Sequence, residues 1–361
     1  MAKTGVESGE ASRLSSAEAC AFTAQLFQAF GIGEKTARDV ADGLVEADLA
    51  GVGSHGLLQA PNYLRRIAAG TISRAEDISL VHESGAVAVY DAGLMLGHPA
   101  AARAMDAAIG RAGRFGIAAV AVRSATHFGV AGRHAQRAAD AGMIGIVMCN
   151  TRPMMPAPGA REPAVGTNPL AIALPAKGKG AVVFDMAMSE VAMGKIRAAA
   201  ANGEPIPRGW ALDAQGWQTT DPAAAIGGML LPAAGAKGFG LAFMIDLLCG
   251  LLSGGSYCEG LASMFSAPEH PADCSWLLIA IDPAHFGLSQ DFTVAVAAAA
   301  EKLRDGKRQD GVDRLFAPGD RKRLAKERAG GMIALAPAVV SELNRIASEV
   351  GIDPITTPPD A

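Results

Sequence analysis

Five short runs of β-branched and small apolar residues, at positions 86–90, 117–122, 144–148, 170–174 and 182–184, most limit what this chain can become. Each is bounded by Gly, Pro or Asp, the punctuation of strands in a sheet. Helical periodicity places a helix over residues 99–115, between the first two runs, and another over 134–141, between the second and third. After Val182 the strand–helix alternation stops. A doubly wound parallel sheet needs a crossover helix for every added strand, so it does not account for this chain. The predicted fold class is α/β with an α+β-like departure from doubly wound order.

The flanks are helical. Ser15 followed by Glu18 is a capping-box pattern, and Phe22, Leu26, Phe27 and Phe30 recur at helical spacing until Gly31. A second helix is expected over 34–49, with Val40, Leu44 and Val45 on one face. Residues 203–222 are so rich in turn formers that they read as a long ordered loop. An apolar helix follows from about Lys237; its core, 238–252, is shorter than the roughly 20 residues a membrane span needs and carries Asp246, so it is expected to be a buried helix. Then come a strand over 276–282, an alanine-rich helix over 290–304 and a last helix over 337–350. The 361 residues exceed the usual growth of one core, so several subdomains are expected. They divide into a loose lead-in (1–14), an N-terminal helical part (15–80), a sheet-bearing middle (81–310) and a C-terminal helical part with a loose tail (311–361).

Composition removes some functions. Net charge is −4, lysines and arginines are scattered, and only 5% of residues are aromatic, so neither a phosphate-binding stripe nor a base-stacking platform is present and no nucleic-acid partner is expected. The five cysteines (Cys20, Cys149, Cys249, Cys258, Cys274) lack CxxC spacing and read as buried, reduced thiols. His82, His98, His134, His270 and His285 show no metal-ligand spacing, so no metal is expected. The first residues have no apolar signal core, and a cytoplasmic protein with no membrane partner is predicted.

Residues 51–56, GVGSHG, match the dinucleotide fingerprint GxGxxG letter for letter. That motif works only after a strand, before a helix N-terminus, and with an acidic residue some 20 positions on. Here a helical pattern precedes it and the next acid is Glu76. What remains is a Ser54-His55 dipeptide between glycines, leaving a helix with both side chains able to enter a cleft.

That dipeptide belongs to an ordered set: EADLAGVGSHGLLQAPNY (46–63), ATHFGVAGRHAQRAADAGMIGIVMCNTRPMMPAPG (125–159), GTNPLAIALPA (166–176), VVFDMAMSEVAMGKI (182–196), GEPIPRGWALDAQGWQTTDP (203–222), LLPAAGAKGFGLAFMIDLL (230–248) and APGDRKR (317–323). The set, running nearly the whole chain, resembles the malate/L-lactate dehydrogenase-like family, which includes ureidoglycolate, sulfolactate and diketogulonate dehydrogenases and the piperideine/pyrroline-2-carboxylate reductases. The resemblance implies a non-Rossmann cofactor domain on a mostly antiparallel seven-stranded sheet, a helical domain formed by both chain ends, a homodimer, and NAD(H) or NADP(H) as cofactor.

It also implies roles. His55 is the proton donor, Ser54 its hydrogen-bonded partner and Lys195 the third member; an imidazole with an unperturbed pKa of about 6.5 suits proton exchange in both directions near neutrality. His127 competes for the acid's role. Gln59, Thr167 and Met193 fall at substrate-contacting positions. The segments His127-Phe128-Gly129-Val130-Ala131, Asp185-Met186-Ala187, Ala234-Gly235 and Gly319 with Arg321 fall at cofactor contacts. Three positions depart from the family pattern: Gln59 stands where arginine usually grips a carboxylate, Met193 where arginine or histidine is common, and Met188 where threonine is usual. The carboxylate is then left to another cation, Lys195, Arg152 or Arg161. The function read from this is interconversion of a 2-oxo acid and a 2-hydroxy acid. The alternatives are reduction of a cyclic 2-imino acid, which the GAREP stretch (159–163) resembles, and an inactive binding protein on the same fold.

Overall fold

Ser15 begins the first helix as its spacing from Glu18 predicts: its Oγ accepts the Glu18 N–H at 3.3 Å at the head of Ser16–Ala29. Such a cap contributes about 1 kcal/mol. The computed structural model describes residues 12–265, 268–287 and 289–356, and the chain divides into two units.

The first unit takes residues up to Gly70 and from Arg321 onward. Phe22, Leu26 and Phe27 of the first helix are buried where it packs on Glu34–Leu49, whose Val40, Leu44 and Val45 are buried in turn. The lead-in prediction needs correction at its end. Ser12–Ser15 is a strand, paired antiparallel with Met332–Leu335 so that Ser12 faces Leu335. Its partner comes from the far end of the chain, and no local pattern announces such a pairing. Residues 1–11 lie outside the described residues. Helix Ala60–Ala68, with proline in its first turn, packs on the final helix Pro337–Glu349.

The second unit, Thr71–Asp320, is built on a sheet of seven strands. Their order is Ser79–Ser84, Val87–Asp91, Ile117–Ala125, Cys274–Ile281, Ile144–Cys149, Leu170–Leu174 and Val182–Met186. Val87–Asp91 and Ile117–Ala125 run parallel, joined through helix Gly97–Phe115; the other five pairings are antiparallel. Alternate residues serve opposite faces. Val120, Val122, Val147, Trp276 and Leu278 share a core with the alanines of Gly97–Phe115 and Ala131–Asp140. Ala121, Met148 and Leu277 share another with Ala242, Ile245 and Cys249 of helix Ala236–Ser253. The alanine-rich composition lets helix backbones come close. At Gly145 an added Cβ would lie 2.2 Å from the Ala135 carbonyl oxygen.

Three expectations are corrected here. The stretch 203–222 contains Ala211–Leu212 and Gln218–Thr219, which join Met229–Leu230 in a small three-stranded sheet. Helix Ala236–Ser253 is buried along one face only: Gly238, Ala242, Ile245, Asp246 and Cys249 face inward, while Leu241, Met244, Leu248, Leu251 and Leu252 are exposed. Among the cysteines, all with free thiols, Cys149, Cys249 and Cys274 are buried, but Cys20 and Cys258 are half-exposed.

Candidate active site

The GVGSHG stretch leaves helix Glu34–Leu49 and winds into two short 3₁₀ turns, Gly53–His55 and Leu57–Gln59. Ser54 Oγ lies 2.9 Å from His55 Nδ1. Two side chains set this loop. Asp48, at the end of the helix, accepts the Leu57 N–H through Oδ2 at 2.8 Å. Its carboxylate also fills the space where a side chain at residue 56 would go, since a Cβ on Gly56 would fall 2.0 Å from Asp48 Oδ1. Gln59 is buried, and its Nε2 donates to the Ser54 carbonyl at 2.7 Å. Burial pushes the Asp48 carboxyl up to about 6 against the opposing Leu57 N–H.

In the second unit, backbone bonds draw the predicted segments together. The Met188 N–H donates to the Thr167 carbonyl at 2.7 Å, and the Met188 carbonyl accepts the Ala233 N–H at 2.9 Å. Met188 thus joins the Thr167 turn, the end of the Asp185-Met186-Ala187 segment and the approach to Ala234-Gly235, while its own side chain is buried. The Ala234 N–H also reaches Glu190 Oε2 at 3.4 Å.

The Thr167 turn is fixed by its neighbours. Gly166 has no room for a side chain, because a Cβ there would meet the Thr151 carbonyl oxygen at 2.2 Å. Asn168, at a positive φ of 24°, accepts the Thr151 N–H at 2.8 Å and Oγ1–H at 3.3 Å, and its Nδ2 donates to the Ala242 carbonyl at 2.9 Å and Asp246 Oδ2 at 3.3 Å. Asp246 Oδ1 accepts from Asn150 Nδ2 and from the Cys258 N–H, both at 3.2 Å. Burial raises the Asp246 pKa, and these donors oppose the rise. The acid that argued against a membrane span therefore anchors the turn carrying Thr167, which is half-buried.

Three of the segments expected to contact cofactor meet at the edge strand Val182–Met186. Asp185 packs against the first turn of Ala131–Asp140, where a Cβ on Gly132 would lie 2.8 Å from its Oδ2. Gly129, at φ 77°, is pressed against His98, which leaves no room for a Cβ, and Phe128 stands edge-on to Trp276 at 5.0 Å between ring centres. On the strand's outer side the Val183 N–H donates to the Pro318 carbonyl at 3.1 Å, placing Gly319 alongside. His127, Val130 and Ala187 are half-buried, Ala131 is buried and Met186 is exposed. Ala234 and Gly235, at φ 52° and 63°, lead into helix Ala236–Ser253. Gly235 has no heavy atom within 4 Å of a would-be Cβ and borders a cavity of about 410 Å³, where Arg161 stacks on Trp217 at 4.0 Å.

Met193 and Lys195 open helix Met193–Asn202; Met193 packs partly on the core, whereas Lys195 is exposed. Arg321 is exposed in the first turn of Asp320–Ala329 in the first unit. Asp48, Asn168 and Asp246 were not singled out as site residues. Asp48 lies within the quoted EADLAG segment, but only the Cβ-sized gap at Gly56 shows what it does.

The profile of the malate/L-lactate dehydrogenase family matches residues 14–344. A (2R)-3-sulfolactate dehydrogenase (NADP(+)) of Chromohalobacter salexigens is 38% identical over 320 residues, covering 89% of this chain and 93% of the relative. A ureidoglycolate dehydrogenase (NAD(+)) of Escherichia coli K12 is 35% identical, covering 83% and 85%. The solved sulfolactate dehydrogenase from Methanocaldococcus jannaschii superposes with a TM-score of 0.89 at 34% identity, over 94% of this chain and 98% of that one. A mixed α/β chain with a Ser-His loop in one unit and a seven-stranded sheet in the other, it belongs to the malate/L-lactate dehydrogenase family.

Proposed function

We propose that this chain interconverts a 2-oxo acid and the matching 2-hydroxy acid with NAD(H) or NADP(H), His55 giving the proton in reduction and taking it in oxidation. The observation that carries this reading is the 2.9 Å bond between Ser54 Oγ and His55 Nδ1 on a loop fixed by Asp48 and Gln59. With Nδ1 held by Ser54, the ring presents Nε2 to the substrate oxygen. Negative charge develops on that oxygen as the carbonyl is reduced, and an imidazolium within hydrogen-bond reach neutralises it. In oxidation the neutral ring takes the hydroxyl proton. Lys195 contributes positive charge toward the substrate, and Thr167, on its anchored turn, offers a hydroxyl.

The residues fit a dinucleotide held without a Rossmann loop. Gly132 and Gly319 bring the backbone close around Asp185 and the edge strand, Gly129 lets the neighbouring turn press against His98, and Gly235 leaves open space beside a cavity. Asp185 binds a ribose hydroxyl or the carboxamide, and the main chain at Ala234-Gly235 faces phosphate. Hydride exchange is the chemistry the nicotinamide contributes when bound. The likeness to sulfolactate and ureidoglycolate dehydrogenases favours the oxo acid over the cyclic imine.

The protein acts as a homodimer through the outer face of Ala236–Ser253. Leu241, Met244, Leu248, Leu251 and Leu252 form an exposed apolar stripe along it. This helix is also long and apolar enough to cross a membrane, but the buried Asp246 network on its inner face makes a second copy the fitting partner rather than lipid.

The test is nicotinamide absorbance during incubation with pyruvate, oxaloacetate, 2-oxoglutarate or piperideine-2-carboxylate. Turnover of an oxo acid that collapses in His55→Ala while cofactor binding persists supports the reading. Turnover of the imine alone, or none with any of them, overturns it.

A further inference from the structure

Asn150, Asn168 and Asp246 are fully buried, and the hydrogen bonds through them all run toward the acid. The Ser275 N–H donates to Asn150 Oδ1 at 2.7 Å, and the Thr151 N–H and Oγ1–H donate to Asn168 Oδ1. Each amide passes this polarity on. Asn150 Nδ2 at 3.2 Å and Asn168 Nδ2 at 3.3 Å both donate to Asp246, whose Oδ1 also accepts the Cys258 N–H. Three donors thus face one side chain, and an ionised carboxylate, which accepts without donating, satisfies them all. An amide or a protonated acid at position 246 would set hydrogen against hydrogen in a buried site.

Asn150 and Thr151 are consecutive, so these bonds close a ring through Asn150, Asp246, Asn168 and Thr151. The ring permits one orientation of the Asn168 amide, because turning it over would point its NH2 at the Thr151 N–H. The backbone of Asn168 is held at φ 24°, outside the regions most residues favour, and Thr167 is its immediate neighbour. The opposite side of the turn is held by the Met188 N–H on the Thr167 carbonyl. The direction of the Thr167 hydroxyl is therefore tied to the charge of an acid on a different helix.

We propose that Asp246 is a positioning residue for the reaction: through the Asn168 amide, its carboxylate aims the Thr167 hydroxyl at the substrate. This rests on the dehydrogenase reading above, in which Thr167 meets the substrate. An acid that served folding alone would alter stability and leave the dependence on Thr167 untouched.

The experiment is a double-mutant cycle on the full chain, with NADH or NADPH and whichever of pyruvate, oxaloacetate and 2-oxoglutarate gives the highest kcat/KM. Thr167→Ala should lower kcat/KM about tenfold, the scale of one hydrogen bond to the substrate. Asp246→Asn should lower it about as much alone, but by less than about threefold further on the Thr167→Ala background. Cofactor affinity should not change. Exchanging the pair, Asp246→Asn with Asn168→Asp, reverses donor and acceptor and gives up the bond to the Ala242 carbonyl, so kcat/KM should return to within about threefold of wild type. If Asp246→Asn does not fold, Asn168→Gly, which suits the positive φ and cuts the same link, takes its place in the cycle. Losses that add across the two sites, an unchanged kcat/KM, or no recovery in the exchange overturn the proposal. If no oxo acid turns over, the dehydrogenase reading fails and amide hydrogen exchange decides the anchor. The Met188 N–H should then lose at least about tenfold protection in Asp246→Asn while the Val183 N–H keeps its own. Equal protection of Met188 in both proteins overturns the anchor as well.

Discussion

A Cβ on Gly56 would lie 2.0 Å from Asp48 Oδ1, so the acid that ends one helix dictates glycine directly after His55. Gly56→Ala should cost about 3 kcal/mol or more, the range of severe overpacking. In an Asp48→Ala background the same change should cost far less, because the obstacle is gone. Denaturant midpoints of the two single variants and the double variant give the coupling. Additive costs would show that something other than Asp48 blocks the site.

Asp48 also makes stability depend on pH. Its folded pKa, about 6, is above the ordinary 3.8, so between those values the folded chain keeps a proton that the unfolded chain has released. Its contribution is complete below about pH 4 and fades as pH rises through 6. Two units correspond to about 3 kcal/mol as an upper figure. The stability of wild type relative to Asp48→Asn should therefore fall between pH 4 and pH 7, as read by chemical denaturation at each pH. A constant difference would remove Asp48 from this role.

Ser54→Ala removes the Nδ1 partner but leaves the imidazole. We expect kcat to fall about tenfold to a hundredfold with an altered pH profile, and His55→Ala to lose about a thousandfold or more, with cofactor affinity unchanged in both. Steady-state rates across pH, with a separate cofactor titration, check this. If His55→Ala kept normal turnover, the proton would pass through His127.

Gln59→Leu removes the side-chain amide that donates to the Ser54 carbonyl. The expected cost is about 1–3 kcal/mol of stability, with a fall in kcat because the Ser-His loop loses its brace. Thermal unfolding and kinetics on one preparation decide. A change in KM alone would place Gln59 on the substrate instead.

Much of the architecture was legible because local rules decided it. The helix Glu34–Leu49 and the strand Leu170–Leu174 fall on their predicted limits, one from its apolar face, the other as a short apolar run between turn formers. The strand Ser79–Ser84 was missed because all six residues are exposed, so no buried face imprints a period on it. Helix Met193–Asn202 was missed for a related reason: Ile196 is its one buried residue. Strand order was beyond reach altogether, since Cys274–Ile281 pairs with strands that come more than a hundred residues earlier. At the site, the Ser54-His55 pair was visible as letters, whereas the Asp48 support and the Asn168–Asp246 anchor are matters of distance between segments.

Cys274–Ile281 lies in the middle of the sheet, with Trp276 opposite Val122 on one side and Cys149 on the other. On the ribosome, Ile117–Ala125 and Ile144–Cys149 emerge long before the strand that will part them, each with an open edge of unsatisfied backbone groups. Until the late strand arrives, these edges are templates for pairing with the wrong chain. Chains interrupted before residue 274 are therefore expected to aggregate rather than to form a smaller folded unit.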